Sequence, residues 1–166
     1  MWEALFFWAF GGLAALLAVG VIALPNPLHG AIALIGNLFC MAALFVLLDA
    51  HFLAAIQVLV YAGAILVLFL FVIMLLNLSP KELGKAKYTA AKVAGAGVLL
   101  FAAAQLIVHF LRIGPSAMGA APQGFGTIES VGRLLFTRYL LPFEVASVLL
   151  LAAILGAVAI AKKKLW

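Results

Sequence analysis

Apolar residues run along this chain in long, almost unbroken blocks, and the polar residues between them are few. The first block covers residues 4–24 and stops at Pro25-Asn26-Pro27, where two prolines cannot extend a helix. The second covers 30–48 and ends at Asp49 and His51, groups that are costly at bilayer depth. The third begins at residue 52 and stays apolar to 78. Its length of about 27 residues makes roughly 40 Å of straight helix, too long to cross upright, so the spacing predicts tilt, a kink or a helical irregularity. A fourth block spans 89–111 and a fifth 142–161. Each is near the roughly 20 residues needed to cross the hydrocarbon core as a helix. A transmembrane barrel would instead show alternating segments of about 10 residues.

Between the fourth and fifth blocks lies a stretch rich in Gly and Pro (Gly114, Pro115, Gly119, Pro122, Gly124, Gly126). Its second half, 127–139, puts Ile128, Val131, Leu134, Leu135 and Tyr139 near one helical face, with Glu129, Arg133 and Arg138 elsewhere. That pattern predicts a short amphipathic helix lying in the membrane interface. The expected fold is therefore all-α and integral to the membrane: a single multi-pass domain over 1–166, with five transmembrane helices and an interfacial helix before the last.

Composition removes the soluble alternatives. Of 166 residues, 69% are apolar and 9% charged, with mean hydropathy +1.33, against 45–50% and about 25% in soluble domains. A soluble globule of this length cannot bury so much apolar surface. A disordered chain fails for lack of such residues. The net charge of +5 does not signal nucleic acid, because the lysines sit in two patches beside apolar blocks, the pattern of membrane orientation. Lys81, Lys85, Lys87, Lys162, Lys163 and Lys164 fall on one side, with Lys92 nearby, and Arg112, Arg133 and Arg138 on the other. The Lys side is expected to be cytoplasmic, with the N-terminus outside and the C-terminus inside an inner (plasma) membrane. Glu3, in place of a basic stretch, argues against a cleaved leader.

Polar residues inside the blocks each need a reason. Gln57 and Tyr61 stand at i and i+4, directly before Ala62-Gly63-Ala64. One reading is an ordinary helix–helix contact in which small residues admit a neighbouring backbone. The other is a deformable point in an over-long helix, weakened at Gly63, where a π-bulge forms. Glu144 follows Pro142 and reads either as a first-turn carboxylate stabilised by the helix dipole or as a polar contact or proton relay facing a neighbouring subunit. Gln105 with His109, and Asn37 with Gly36 and Cys40, read as structural. Small residues at i, i+4 in the first block (Gly11/Ala15, Ala14/Ala18) and the last (Ala152/Gly156, Ala153/Ala157) are packing faces that suggest burial in a larger complex. A lone cysteine, three scattered histidines and no phosphate-binding glycine loop provide no catalytic, metal or cofactor site.

The stretch Gln57-Val58-Leu59-Val60-Tyr61-Ala62-Gly63-Ala64-Ile65 closely resembles the third-helix signature of subunit J of NADH-quinone oxidoreductase, the bacterial counterpart of mitochondrial complex I chain 6. Asn26-Pro27-Leu28-His29-Gly30-Ala31 is similar to that family's turn between helices one and two. The run from Leu134 through Thr137, Arg138 and Pro142 to Ser147 is similar to its entry into helix five. The resemblance implies a respiratory-chain complex that oxidises NADH, reduces a quinone and translocates protons. NAD, FMN, iron–sulfur clusters and quinone would be bound by other subunits. This chain would pack in the membrane arm against A-, H- and K-type subunits. It further implies that Tyr61 and Gly63 form a coupling gate, with Gln57 orienting Tyr61, and that a π-bulge there opens or closes a hydrated proton path. Two alternatives stay open: a homologous subunit of a complex fed by a ferredoxin-type donor, and a stand-alone small transporter.

Overall fold

The computed structural model describes residues 2–76, 90–112 and 124–162. The chain forms α1 (Trp2–Ala23), α2 (Pro27–Leu47), α3 (His51–Ile56), a π-helical segment (Gln57–Ile65), α4 (Leu66–Leu76), α5 (Ala90–Arg112), α6 (Ile128–Thr137) and α7 (Leu140–Ala161). No strand occurs among the described residues. The lysine-bearing segment 77–89, residues 113–123 and the tail beyond 162 lie outside them, and with them Lys81, Lys85, Lys87, Lys163 and Lys164, half of the basic residues on which the expected orientation rests.

Among the described residues, four helical stretches are long and apolar enough to cross a membrane: Trp2–Ala23, Pro27–Leu47, His51–Leu76 and Leu140–Ala161. The chain is a multi-pass membrane protein. α5 has 23 residues, and its apolar stretch is the shorter Gly97–His109. The amphipathic block becomes α6, half-buried at Val131 and Leu135.

The α1–α2 hairpin is closed by its turn chemistry. Asn26 has an extended backbone and its Oδ1 accepts the Leu28 N–H at 2.9 Å, while Pro27 opens the helix; side-chain capping followed by Pro at the first helical position satisfies or dispenses with N–H groups that have no intrahelical acceptor. The two helices then approach through small residues. A Cβ on Gly30 would stand 3.2 Å from the Val21 carbonyl oxygen, one on Gly36 3.0 Å from Leu17 Cδ1, and one on Gly20 3.6 Å from the Ala33 Cβ. Of the small-residue pairs expected in the first block, Ala14 is buried and Ala18 half-buried, whereas Gly11 has open space around it.

α2 ends in a Schellman turn. The Ala50 N–H bonds the Phe45 carbonyl at 2.9 Å and the Asp49 N–H the Val46 carbonyl at 3.0 Å. Asp49 takes the left-handed conformation at φ 56° that glycine usually fills. The chain thus reverses tightly into α3, and the third crossing runs back along α2.

The last crossing begins earlier than its proline suggests. α7 starts at Leu140, and the Phe143 N–H already bonds the Tyr139 carbonyl at 3.1 Å. Pro142 is its third residue, still among the N–H groups with no intrahelical acceptor. Glu144 is accordingly the fifth residue, beyond the first turn, and the helix has no acidic residue there. The dipole explanation for Glu144 is corrected by this start, because the macrodipole effect fades within one turn.

Candidate functional site

The site grows out of a problem of register. The third crossing is 26 described residues long, and its N-terminal end is fixed by the Asp49 turn. From there, Ala54 and Gln57 are buried. A continuous α-helix would carry that face on through Tyr61 and Ile65, by i+3 and i+4 spacing. The structure instead buries Ala62 and Leu66 and leaves Tyr61 and Ile65 49% and 54% exposed. One residue has been absorbed in between.

The π-helical segment Gln57–Ile65 does this. Its bonds reach back five residues: the Leu66 N–H donates to the Tyr61 carbonyl. The Gln57 N–H, at the boundary with α3, still donates to Leu53 and Ala54. α4 then resumes regular winding. Packing explains the choice. α2 flanks the segment, and Ala62 is buried in it, a position where a phenol ring would hold the helices apart. Gly63 eases the extra residue, because a Cβ there would lie 3.2 Å from the Val58 carbonyl oxygen.

The structure brings Gln57, Tyr61 and Gly63 together within this one segment. Gln57 is buried at its first residue and Tyr61 faces outward from its middle; among the described residues no hydrogen bond joins them. Glu144 lies on α7, exposed, and Ser147 Oγ donates to its backbone carbonyl at 2.7 Å. Asn37 is half-buried on α2; His29, His51 and His109 are exposed. Among the described residues no three His, Cys, Asp or Glu side chains converge on a point that could hold a metal ion. Beside the far end of the third crossing, Val21, Gly30, Ala31, Phe69 and Ile73 line an open apolar cleft of about 220 Å³.

Two residues of the site take roles the sequence did not assign. Ala62, read only as one of three small residues in Ala62-Gly63-Ala64, is the residue that the inserted turn places inward. Gly126 packs on the start of α3, a contact between segments far apart in the chain, and no sequence signal marks it.

The profile of the NADH-ubiquinone/plastoquinone oxidoreductase chain 6 family matches residues 17–160. The chain is 37% identical over 155 residues to NADH-quinone oxidoreductase subunit J of Escherichia coli K12, covering 91% of this chain and 82% of the relative. It is 40% identical over 166 residues to NAD(P)H-quinone oxidoreductase subunit 6 of the Paulinella chromatophora chromatophore, covering 96% and 78%. It is 37% identical over 163 residues to NAD(P)H-quinone oxidoreductase chain 6 of Leptolyngbya boryana, covering 94% and 79%. With the match running from within α1 almost to the end of α7, and the π segment inside it, the chain belongs to the NADH-ubiquinone/plastoquinone oxidoreductase chain 6 family.

Proposed function

We propose that this chain serves in the membrane arm of NADH-quinone oxidoreductase as a coupling element, in which the π segment of the third crossing switches winding and thereby makes or breaks a hydrated proton path. The observation that carries this reading is the register shift between Gln57 and Ala62. If the segment returned to α-helical winding, one residue would be released and everything beyond it would turn by about 100° relative to α3. Tyr61 would replace Ala62 against α2, and Ile65 would replace Leu66. That exchange swaps a methyl group for a phenol carrying a hydroxyl, which changes both the space and the polarity along the contact. Packed contacts tend to hold discrete arrangements, so two windings provide the two states that coupling requires.

The surroundings support a role inside a larger assembly. α7 has no buried residue, and Gly97–His109 of α5 is exposed throughout. Lipid or neighbouring subunits, expected to be of A, H and K types, cover these faces. α5 acts as the fourth of five crossings and α6 lies in the interface, its polar face outward. The N-terminus is outside and the C-terminus cytoplasmic. Tyr61 meets a polar partner on a neighbouring helix or in the water path, and Glu144 makes a polar contact with a neighbouring subunit, since a carboxylate on an apolar helix is costly without a partner. NAD, FMN, iron–sulfur clusters and quinone are held by other subunits of the complex.

The test is Gly63→Val in the intact complex. A Cβ at that position stands 3.2 Å from the Val58 carbonyl oxygen, a tight contact in the π winding, and a branched, stiff side chain adds to the crowding. Quinone-linked proton pumping should fall several-fold while NADH oxidation with an artificial acceptor is retained. Unchanged pumping and quinone reduction would refute the assignment of the gate.

A further inference from the structure

Two turns far apart in the sequence meet at the start of the third crossing. The Gly126 carbonyl accepts the Phe52 N–H at 2.9 Å. Phe52 is the second residue of α3, so its N–H is one of those with no acceptor inside the helix. Gly126 sits at φ +71°, and a Cβ there would stand 2.8 Å from Ala50 Cα and closer still to the Asp49 carbonyl. Only glycine fits. Both surfaces are held from within. On one side, Asp49 and Ala50 are tied to Val46 and Phe45 by the Schellman turn, and Ala50 is buried. On the other, Thr127 Oγ1 accepts the Ser130 N–H at 3.3 Å and donates to the Gly124 carbonyl at 3.0 Å, so the turn is continuous with the start of α6. α6 in turn meets α7 through Phe136 and Phe143, whose ring centroids are 5.1 Å apart edge to face. Toward the far end the described residues show no comparable clamp: Leu66 is the only buried residue of α4.

We infer that the turn at Gly126 is a latch that clamps the N-terminal end of the third crossing, so that a change of winding in the π segment turns α4 and leaves α3 in place. The inference rests on the gate reading and extends it. A helix that gains or loses one residue of winding must rotate one end against the other, and the held end decides which moves. With α3 clamped, the rotation is delivered to Leu66–Leu76.

Hydrogen–deuterium exchange on the intact complex in lipid nanodiscs, at rest and during turnover with NADH and a short-chain quinone, tests this. Amides of 57–66 should exchange faster during turnover, while the Phe52 amide stays as protected as at rest. Gly126→Ala should speed Phe52 exchange several-fold at rest and lower quinone-linked pumping. Gly124→Ala should do much less, because its position at φ +78° has open space around it and adds strain without a collision. Phe52 exchanging in step with the π segment, or unaffected by Gly126→Ala, would overturn the latch and leave the gate standing. A π segment that exchanges identically at rest and in turnover would overturn the gate, and the latch with it. If Gly126→Ala does not assemble, the comparison of rest and turnover in the unaltered complex still decides.

Discussion

The Val58 carbonyl oxygen lies 3.2 Å from where a Cβ on Gly63 would stand, five residues further along the third crossing. The contact exists only because the helix is wound wide there. Gly63→Ala therefore acts on the two windings unequally. It crowds the π form, where the added Cβ presses on that carbonyl, and not the α form, where the contact is absent. Overpacking of this kind costs about 1 kcal/mol, so a shift of about fivefold toward the α form is expected. Spin-label distances between α2 and α4 in the resting complex would register it as a new population.

Tyr61 is half-exposed beside the packed Ala62, and its hydroxyl needs a partner in an apolar medium. Tyr61→Phe keeps the ring and removes only that group. Protons pumped per electron should fall while assembly and electron input are retained, as measured by acidification in proteoliposomes against quinone reduction. An unchanged ratio would remove the hydroxyl from the path.

The α1–α2 hairpin gives a contrast of sign. Gly30 faces the Val21 backbone carbonyl, which cannot step aside, whereas Gly12 has nothing within 4 Å. Gly30→Val should destabilise the hairpin by about 1–3 kcal/mol through overpacking. Gly12→Ala should be neutral or stabilising by up to about 1 kcal/mol. Thermal unfolding of the purified complex in detergent, followed by release of this chain, would rank the two.

Much of the fold was legible because its causes are local. The prolines at 25 and 27 end one helix and start the next, and the four crossings found in the structure begin and end within a few residues of the apolar blocks. The length of the third block called for tilt, a kink or a helical irregularity, since a helix of that many residues cannot stand upright in a bilayer, but it did not choose among them. Nor was the consequence legible: that Ala62 turns in and Tyr61 out depends on how closely α2 approaches, which is a property of the pair of helices. α7 starts two residues before Pro142, because proline is tolerated within the first turn as well as at its opening. Gly126 falls in a Gly- and Pro-rich stretch, and nothing local tells a glycine that opens a loop from one that docks on another turn.

Asp49 offers a further prediction. Its left-handed backbone costs about 1–2 kcal/mol for an ordinary residue, less for Asp and least for Gly. Asp49→Gly should leave assembly and activity intact. Asp49→Val should disrupt the turn that seats both α3 and Gly126, lowering the amount of assembled complex on native gels.

The central claim is that Gln57–Ile65 adopts two windings during the catalytic cycle. Single-particle imaging of the intact enzyme, frozen at rest and during NADH:quinone turnover, reads this directly in the third crossing. The account predicts two classes, one with the π segment and Ala62 against α2, the other fully α-helical with Tyr61 in its place. The proportions should shift on turnover. A single winding in every class under both conditions would contradict it.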